Sequence, residues 1–131
     1  GLRCIYPDKH LRTEDINDIS EVMLLEYCGF RALFTGDISG DAEKMINADA
    51  DLLDVAHHGS KYSSTDAFLE NTSPVVAVIS AGVNNRYGHP HEEALKRIKN
   101  TGAAVYITAY TGEVDIHVSD DGKITITTLL T

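Results

Sequence analysis

The chain has 131 residues, 43% of them hydrophobic, enough for one real core but not two, so 1–131 is read as a single domain or domain fragment. No apolar run approaches the ~18–20 residues that a membrane-spanning helix needs, and the opening Gly1-Leu2-Arg3-Cys4-Ile5-Tyr6-Pro7 lacks the pattern of a signal peptide, so the segment reads as soluble. A formal charge of -9 excludes a broad basic surface for nucleic acid; a phosphodiester substrate would need a local electropositive device such as a metal ion.

Leu2 to Tyr6 reads as a strand stopped by Pro7, followed by a polar loop from Asp8 to Asp18 with a solvated His10. A start on strand residues without an initiator Met is what a piece of a longer protein would show. Val22, Leu24 and Tyr27, the turn pair Cys28-Gly29 and Phe30 to Phe34 predict a β-hairpin, whose second strand delivers Thr35-Gly36-Asp37. Cys4 and Cys28 form neither a CxxC motif nor a disulfide framework. A helix is expected from Ser39 to Asn47, with Ser39 as cap, Asp41 and Glu43 in the first turn, and Ala42, Met45 and Ile46 on one face. Leu52 to Ala56 reads as an interior strand, and a second helix is expected from Ser63 or Ser64 to about Asn71.

Pro74 to Ile79 is a β-branched run of the kind buried on both faces of a layered α/β sheet. Ala81 to Pro90 is a glycine-containing loop. Beyond it, Pro90, Glu92 and Glu93 suit a helix start, Ala94, Leu95 and Ile98 form its apolar stripe, and Gly102 ends it. Ala103 to Thr108, Gly112 to Val118 and Lys123 to Leu129 predict three strands, the last two joined by Asp120-Asp121-Gly122.

Three polar clusters stand where apolar runs stop, which points to one shared site. Asp37 follows Gly36 at a strand end, and is either a site carboxylate or a turn or capping Asp. The adjacent pair His57-His58, followed by Gly59-Ser60, favours a site. If the extended conformation persists, only one of the two imidazoles faces Asp37; His58, nearer the loop, is preferred, and His57 is then a supporting or core group. His89, between Gly88 and Pro90, is either held over the site or part of a rigid turn in which Asn85 bonds its own backbone. His91 reads as an exposed residue of the helix's first turn and His117 as a strand residue, so neither enters the site. One carboxylate with one or two imidazoles suits Zn²⁺ or Mn²⁺, yet hydrolytic zinc sites take three protein ligands plus water; these residues amount to half a metal centre.

Asn17, Ser20, Thr35-Gly36-Asp37, His57-His58-Gly59-Ser60 with Ser63-Ser64, and Asn85-Arg86-Tyr87-Gly88-His89-Pro90, in this order over most of the chain, resemble the metallo-β-lactamase-like domain of ComEC/Rec2 competence proteins. The resemblance implies the C-terminal half of a four-layer αββα sandwich, a mixed sheet with flanking helices. It implies two divalent metal ions, Zn or Mn, in the complete domain, with Asp37 bridging them, His58 or His57 as a ligand, and the Asn85 to Pro90 loop bordering the pocket. Ser60, Asn85 and Tyr87 are read as pocket residues, and His89 as a catalytic side chain that donates a proton to the leaving group or orients the phosphate. It also implies a phosphodiesterase on the extracytoplasmic face of a bacterial membrane protein for DNA uptake, degrading the strand that is not imported. Its partners would be DNA, the N-terminal half of the same domain and the membrane channel portion.

The HxHxDH motif that supplies most of the family's metal ligands is absent, so the fragment is expected to be inactive alone and open to self-association through the face that meets the other half. Asp54 stands where a Lys commonly precedes the HHGS motif. Two rival readings are a stand-alone hydrolase of small esters or lactones on the same fold, and a non-catalytic α/β protein-interaction module with structural histidines.

Overall fold

In the computed structural model, which describes residues 1–130, Cys28 and Gly29 both take positive φ (49° and 81°), the turn geometry whose twist matches a tight hairpin. They join β2 (Val22–Tyr27) to β3 (Phe30–Phe34), and β1 (Leu2–Tyr6) pairs antiparallel with β2. From β3 onward the sheet is parallel: β4 (Leu52–Asp54), β5 (Val76–Ile79) and β6 (Ala104–Ile107) follow side by side, so six strands lie in chain order.

Each parallel step needs a crossover. Because the strands follow in order, right-handed crossovers all fall on one face. That face is covered by α1 (Gly40–Glu43), α2 (Asp66–Thr72) and α3 (Glu92–Asn100), which bring Ala42, Phe68, Leu69 and Ile98 against Val22, Leu24, Leu33, Leu53, Ala77 and Ile79. On the opposite face the hairpin of β7 (Val114–Val118) and β8 (Ile124–Thr128) lays Ile116, Val118, Ile124 and Ile126 against Phe30, Ala32, Leu52 and Val76. The result is a mixed α/β architecture with flanking helices, and among the described residues no helix is long and apolar enough to cross a membrane.

Several elements differ from expectation. The helix expected to reach Asn47 ends at Glu43, because the amides of Met45 and Ile46 bond carbonyls three residues back and tighten the chain. Ile46 stays buried, whereas Met45 is turned out to solvent rather than sharing the apolar face. The strand expected to reach Ala56 stops at Asp54, and Ala56–Gly59 forms a tight turn. The second helix starts at Asp66, capped by the Thr65 hydroxyl, instead of at Ser63 or Ser64. The reason is the buried Glu43 carboxylate, which accepts hydrogen bonds from the Ser64 and Thr65 amides and the Thr65 hydroxyl and holds Ser64 at φ 55°. The polar loop contains a short turn at Ile16–Ile19 capped by Asp15, and one helical turn, α4 (Thr108–Thr111), follows β6.

Candidate functional site

Strands β3, β4 and β5 are adjacent and parallel, so their C-terminal loops emerge at the same sheet edge, where open α/β sheets commonly carry ligands. The first loop turns at Gly36, with φ 56°; a side-chain carbon there would lie 2.9 Å from Ser20 Cβ, so only glycine lets the chain pass. The Asp37 amide donates to Ser20 Oγ at 3.3 Å. Behind it, Thr35 Oγ1 donates to the Asp54 carbonyl at 2.6 Å and ties the ends of β3 and β4 together.

The second loop departs from the extended form on which strand alternation rests. His57 (φ 51°, ψ 41°) and His58 (φ 56°, ψ 27°) are both left-handed, a conformation that histidine visits more readily than most residues. The bend gathers the rings: His57 and His58 centroids lie 6.4 Å apart and stand 5.5 Å and 6.2 Å from that of His89. The His57 amide donates to the Gly36 carbonyl at 2.8 Å, stitching this loop to the first. His58 Nδ1 lies 2.7 Å from the Ser80 carbonyl, which can only accept, so Nδ1 carries the proton. In the neutral ring the bare Nε2 then faces Asp37 Oδ1 at 3.8 Å.

The third loop is held from within. Asn85 Oδ1 accepts the His89 amide proton at 2.9 Å, and its Nδ2 donates to the carbonyls of Gly82 (2.9 Å) and His89 (2.6 Å), so this side chain shapes the loop. Tyr87 lies stacked on His89, with centroids 5.7 Å apart. A cavity of about 480 Å³ beside the cluster is lined by His58, Ser80, Asn85, Tyr87, His89 and Thr108. Ser60 is buried, and its Oγ accepts the Tyr62 amide proton at 3.3 Å, so it does not line that cavity.

Two residues outside the expected set belong to this region. His91 packs edge-on to His89 at 4.7 Å; its Nδ1 accepts the Lys61 amide proton at 3.0 Å, which leaves Nε2 to donate to the Tyr87 carbonyl at 3.1 Å. It sits at the N-cap of α3, where Ser, Thr, Asp or Asn is the usual choice, and that departure was the available signal in the sequence. Asp54 is the other. Burial holds its carboxyl above the usual range, nearby His58 pulls it down and Asp37 pushes it up. His89 is held below the ordinary imidazole value by burial first and by His91, His57 and His58 next, against the opposing pull of Asp37.

The donor pair has the chemistry of a cation site in part. A divalent ion about 2.0–2.2 Å from each donor spans the 3.8 Å between Asp37 Oδ1 and His58 Nε2. A metal-ligating His characteristically donates its other ring N–H to a carbonyl, as His58 does to Ser80. Among the described residues, no group of three or more His, Cys, Asp or Glu is arranged to hold a metal.

No family model matches the chain. It is 37% identical over 103 residues to ComE operon protein 3 of Bacillus subtilis, a match covering 75% of this chain and 13% of the relative. It is 33% identical over 108 residues to Recombination protein 2 of Haemophilus influenzae (80% and 14%) and 32% identical over 114 residues to Competence protein ComA of Neisseria gonorrhoeae (82% and 16%). The chain thus spans about one seventh of the length of the curated relatives it matches. These similarities, at 32–37% identity, support a place for the chain in the ComEC/Rec2 family of competence proteins.

Proposed function

We propose that this chain is the C-terminal part of a metallo-β-lactamase-like, metal-dependent phosphodiesterase domain that works in DNA uptake and degrades the strand that is not imported. The observation that carries the reading is His58, anchored through Nδ1–H to the Ser80 carbonyl with its free nitrogen facing Asp37. The similarity to competence proteins over most of the chain supplies the context. In this reading the missing donors belong to an N-terminal half outside these residues, and the parent is a membrane protein that displays the domain on its extracytoplasmic face.

When bound, divalent ions such as Zn²⁺ or Mn²⁺ supply a water-derived nucleophile at neutral pH and neutralise charge on the phosphoryl oxygens. The chain's own residues do the rest. Asp37 and His58 offer one oxygen and one nitrogen at the fixed 3.8 Å separation, and the Ser80 carbonyl keeps the His58 ring from turning away. His89, held neutral by burial and its neighbouring imidazoles, is better suited to donate a hydrogen bond to a phosphate oxygen than to surrender a proton to the leaving group.

The test is the metal content of the purified chain and its Asp37→Ala and His58→Ala variants after dialysis against micromolar Zn²⁺ and Mn²⁺. Metal retained by the parent and lost in both variants supports the reading. Metal retained equally by all three would favour a non-catalytic module with structural histidines, whereas retention by none would make this chain an inactive half whose site is completed by the other half. A longer segment containing the N-terminal half should then cut single-stranded DNA, with activity lost on Asp37→Ala and reduced on His89→Ala.

A further inference from the structure

Two exposed tyrosines flank the histidine cluster, and each carries a cation. The Lys61 ammonium stands 5.4 Å from the centre of the Tyr62 ring, and the Arg86 guanidinium stands 4.6 Å from that of Tyr87. Tyr62 is 71% exposed and Tyr87 60%, so neither ring is a core residue. The two pairs sit on different loops, yet one side chain joins them: His91 takes the Lys61 amide proton on Nδ1 and donates from Nε2 to the Tyr87 carbonyl, so a single imidazole spaces the pairs.

Around the cluster a set of planar groups packs one on another. His91 meets His89 edge-on, Tyr87 lies within 24° of parallel on His89, and Arg86 covers Tyr87 and bonds its hydroxyl. The Arg86 guanidinium is itself a plane of the kind on which nucleobases stack.

We infer that the Lys61/Tyr62 and Arg86/Tyr87 pairs form a two-point grip for a single strand of nucleic acid, one base stacking on Tyr62 and another on Arg86, with the two cations meeting the intervening phosphates. Every base has a π face, so the grip is tolerant of sequence. It also fits the charge of the chain. A net -9 repels the dense phosphates of a duplex, whereas a single strand exposes base faces and is held by stacking plus a few local cations. That the strand held is the substrate of the neighbouring site rests on the proposed hydrolase reading; the grip itself does not need a metal.

The experiment is fluorescence anisotropy of a short labelled oligothymidylate with the whole chain in EDTA, at low and moderate salt, beside a duplex of equal length. The parent should bind the single strand more tightly than the duplex. Tyr62→Ala and Arg86→Ala should each weaken binding about tenfold, Tyr62→Phe should restore it, and the double variant should lose both increments. Both positions are exposed, and unchanged thermal unfolding of the variants shows that the fold is intact. A parent that binds no oligothymidylate, or alanine variants that bind as the parent does, would overturn the grip. A longer segment that includes the N-terminal half, binds through these residues and still holds no metal removes the hydrolase reading and keeps the grip. One that retains metal through Asp37 but binds no single strand does the reverse.

Discussion

Gly59 and Pro90 are in direct contact across two loops: a β-carbon placed on Gly59 would lie 2.6 Å from Pro90 Cβ and 3.0 Å from its Cα. Gly59 also has φ 81°, and its carbonyl accepts the His91 amide proton at 2.9 Å. The glycine between the histidine pair and Ser60 therefore lets the second and third loops close on one another. Gly59→Ala combines a left-handed backbone with an overlap that Pro90 cannot yield to cheaply. The expected loss is about 2 kcal/mol or more in urea unfolding, with the His58 and His89 ring signals broadened or shifted in NMR spectra.

The crowding of imidazoles around His89 has a consequence for pH. Its folded pKa lies below the unfolded value of about 6.5, chiefly through burial and then through His91, His57 and His58. The unfolded chain binds the proton more readily, so this contribution to stability is present above pH about 6.5 and is lost as the pH falls through the folded value. Ring signals of His89 should titrate below about pH 6.5. Relative to a His89→Asn variant, the parent should lose stability as urea titrations are moved from about pH 7 to about pH 5.

Glu43 is a buried carboxylate that acts from the end of one helix on the start of the next. It is 2% exposed and receives three hydrogen bonds from Ser64 and Thr65, with Arg97 near enough to favour its charge while burial opposes it. Glu43→Ala leaves two backbone amides and a hydroxyl without an acceptor, and should cost about 3 kcal/mol in unfolding free energy. Glu43→Gln should fall between, because one end of its amide presents N–H groups to donors.

Metal should act on stability as well as on any chemistry. If Asp37 and His58 hold an ion in the folded chain, Zn²⁺ at a hundredfold excess over its Kd should stabilise the parent by about 2.7 kcal/mol, seen as a rise in Tm that EDTA reverses. The same addition should leave the Tm of Asp37→Ala unchanged. A rise common to both would place the ion elsewhere, for example on exposed histidines.

Much of the frame was legible because its signals are local. Pro7 stops β1, Cys28-Gly29 turns the first hairpin, the β-branched run of Val75 to Ile79 marks a central strand, and Ala94, Leu95 and Ile98 space the buried face of α3. That Asp37, His58 and His89 would share one region was expected from three polar clusters standing where apolar runs stop; that their strands are neighbours and parallel, which brings them to one edge, is shown by the structure. The left-handed bend at His57-His58 was not legible, because alternation along a strand carries no information about where the strand ends. The late start of α2 has a cause that no local pattern shows: Glu43 reaches across to Ser64 and Thr65. His91 was passed over because a histidine entering a helix reads as solvated until the loops it bridges are known.

The order in which the sheet grows has a bearing on how the protein is made. The antiparallel unit of β1, β2 and β3 can close on itself as soon as Phe34 has left the ribosome, for its contacts are among nearby residues. The cluster has no such early form. Asp37, His58 and His89 meet only after two crossover helices have been laid down and β5 has paired with β4. A nascent chain halted before the third loop would carry an ordered N-terminal sheet whose edge holds a carboxylate and two histidines without the loop that closes over them.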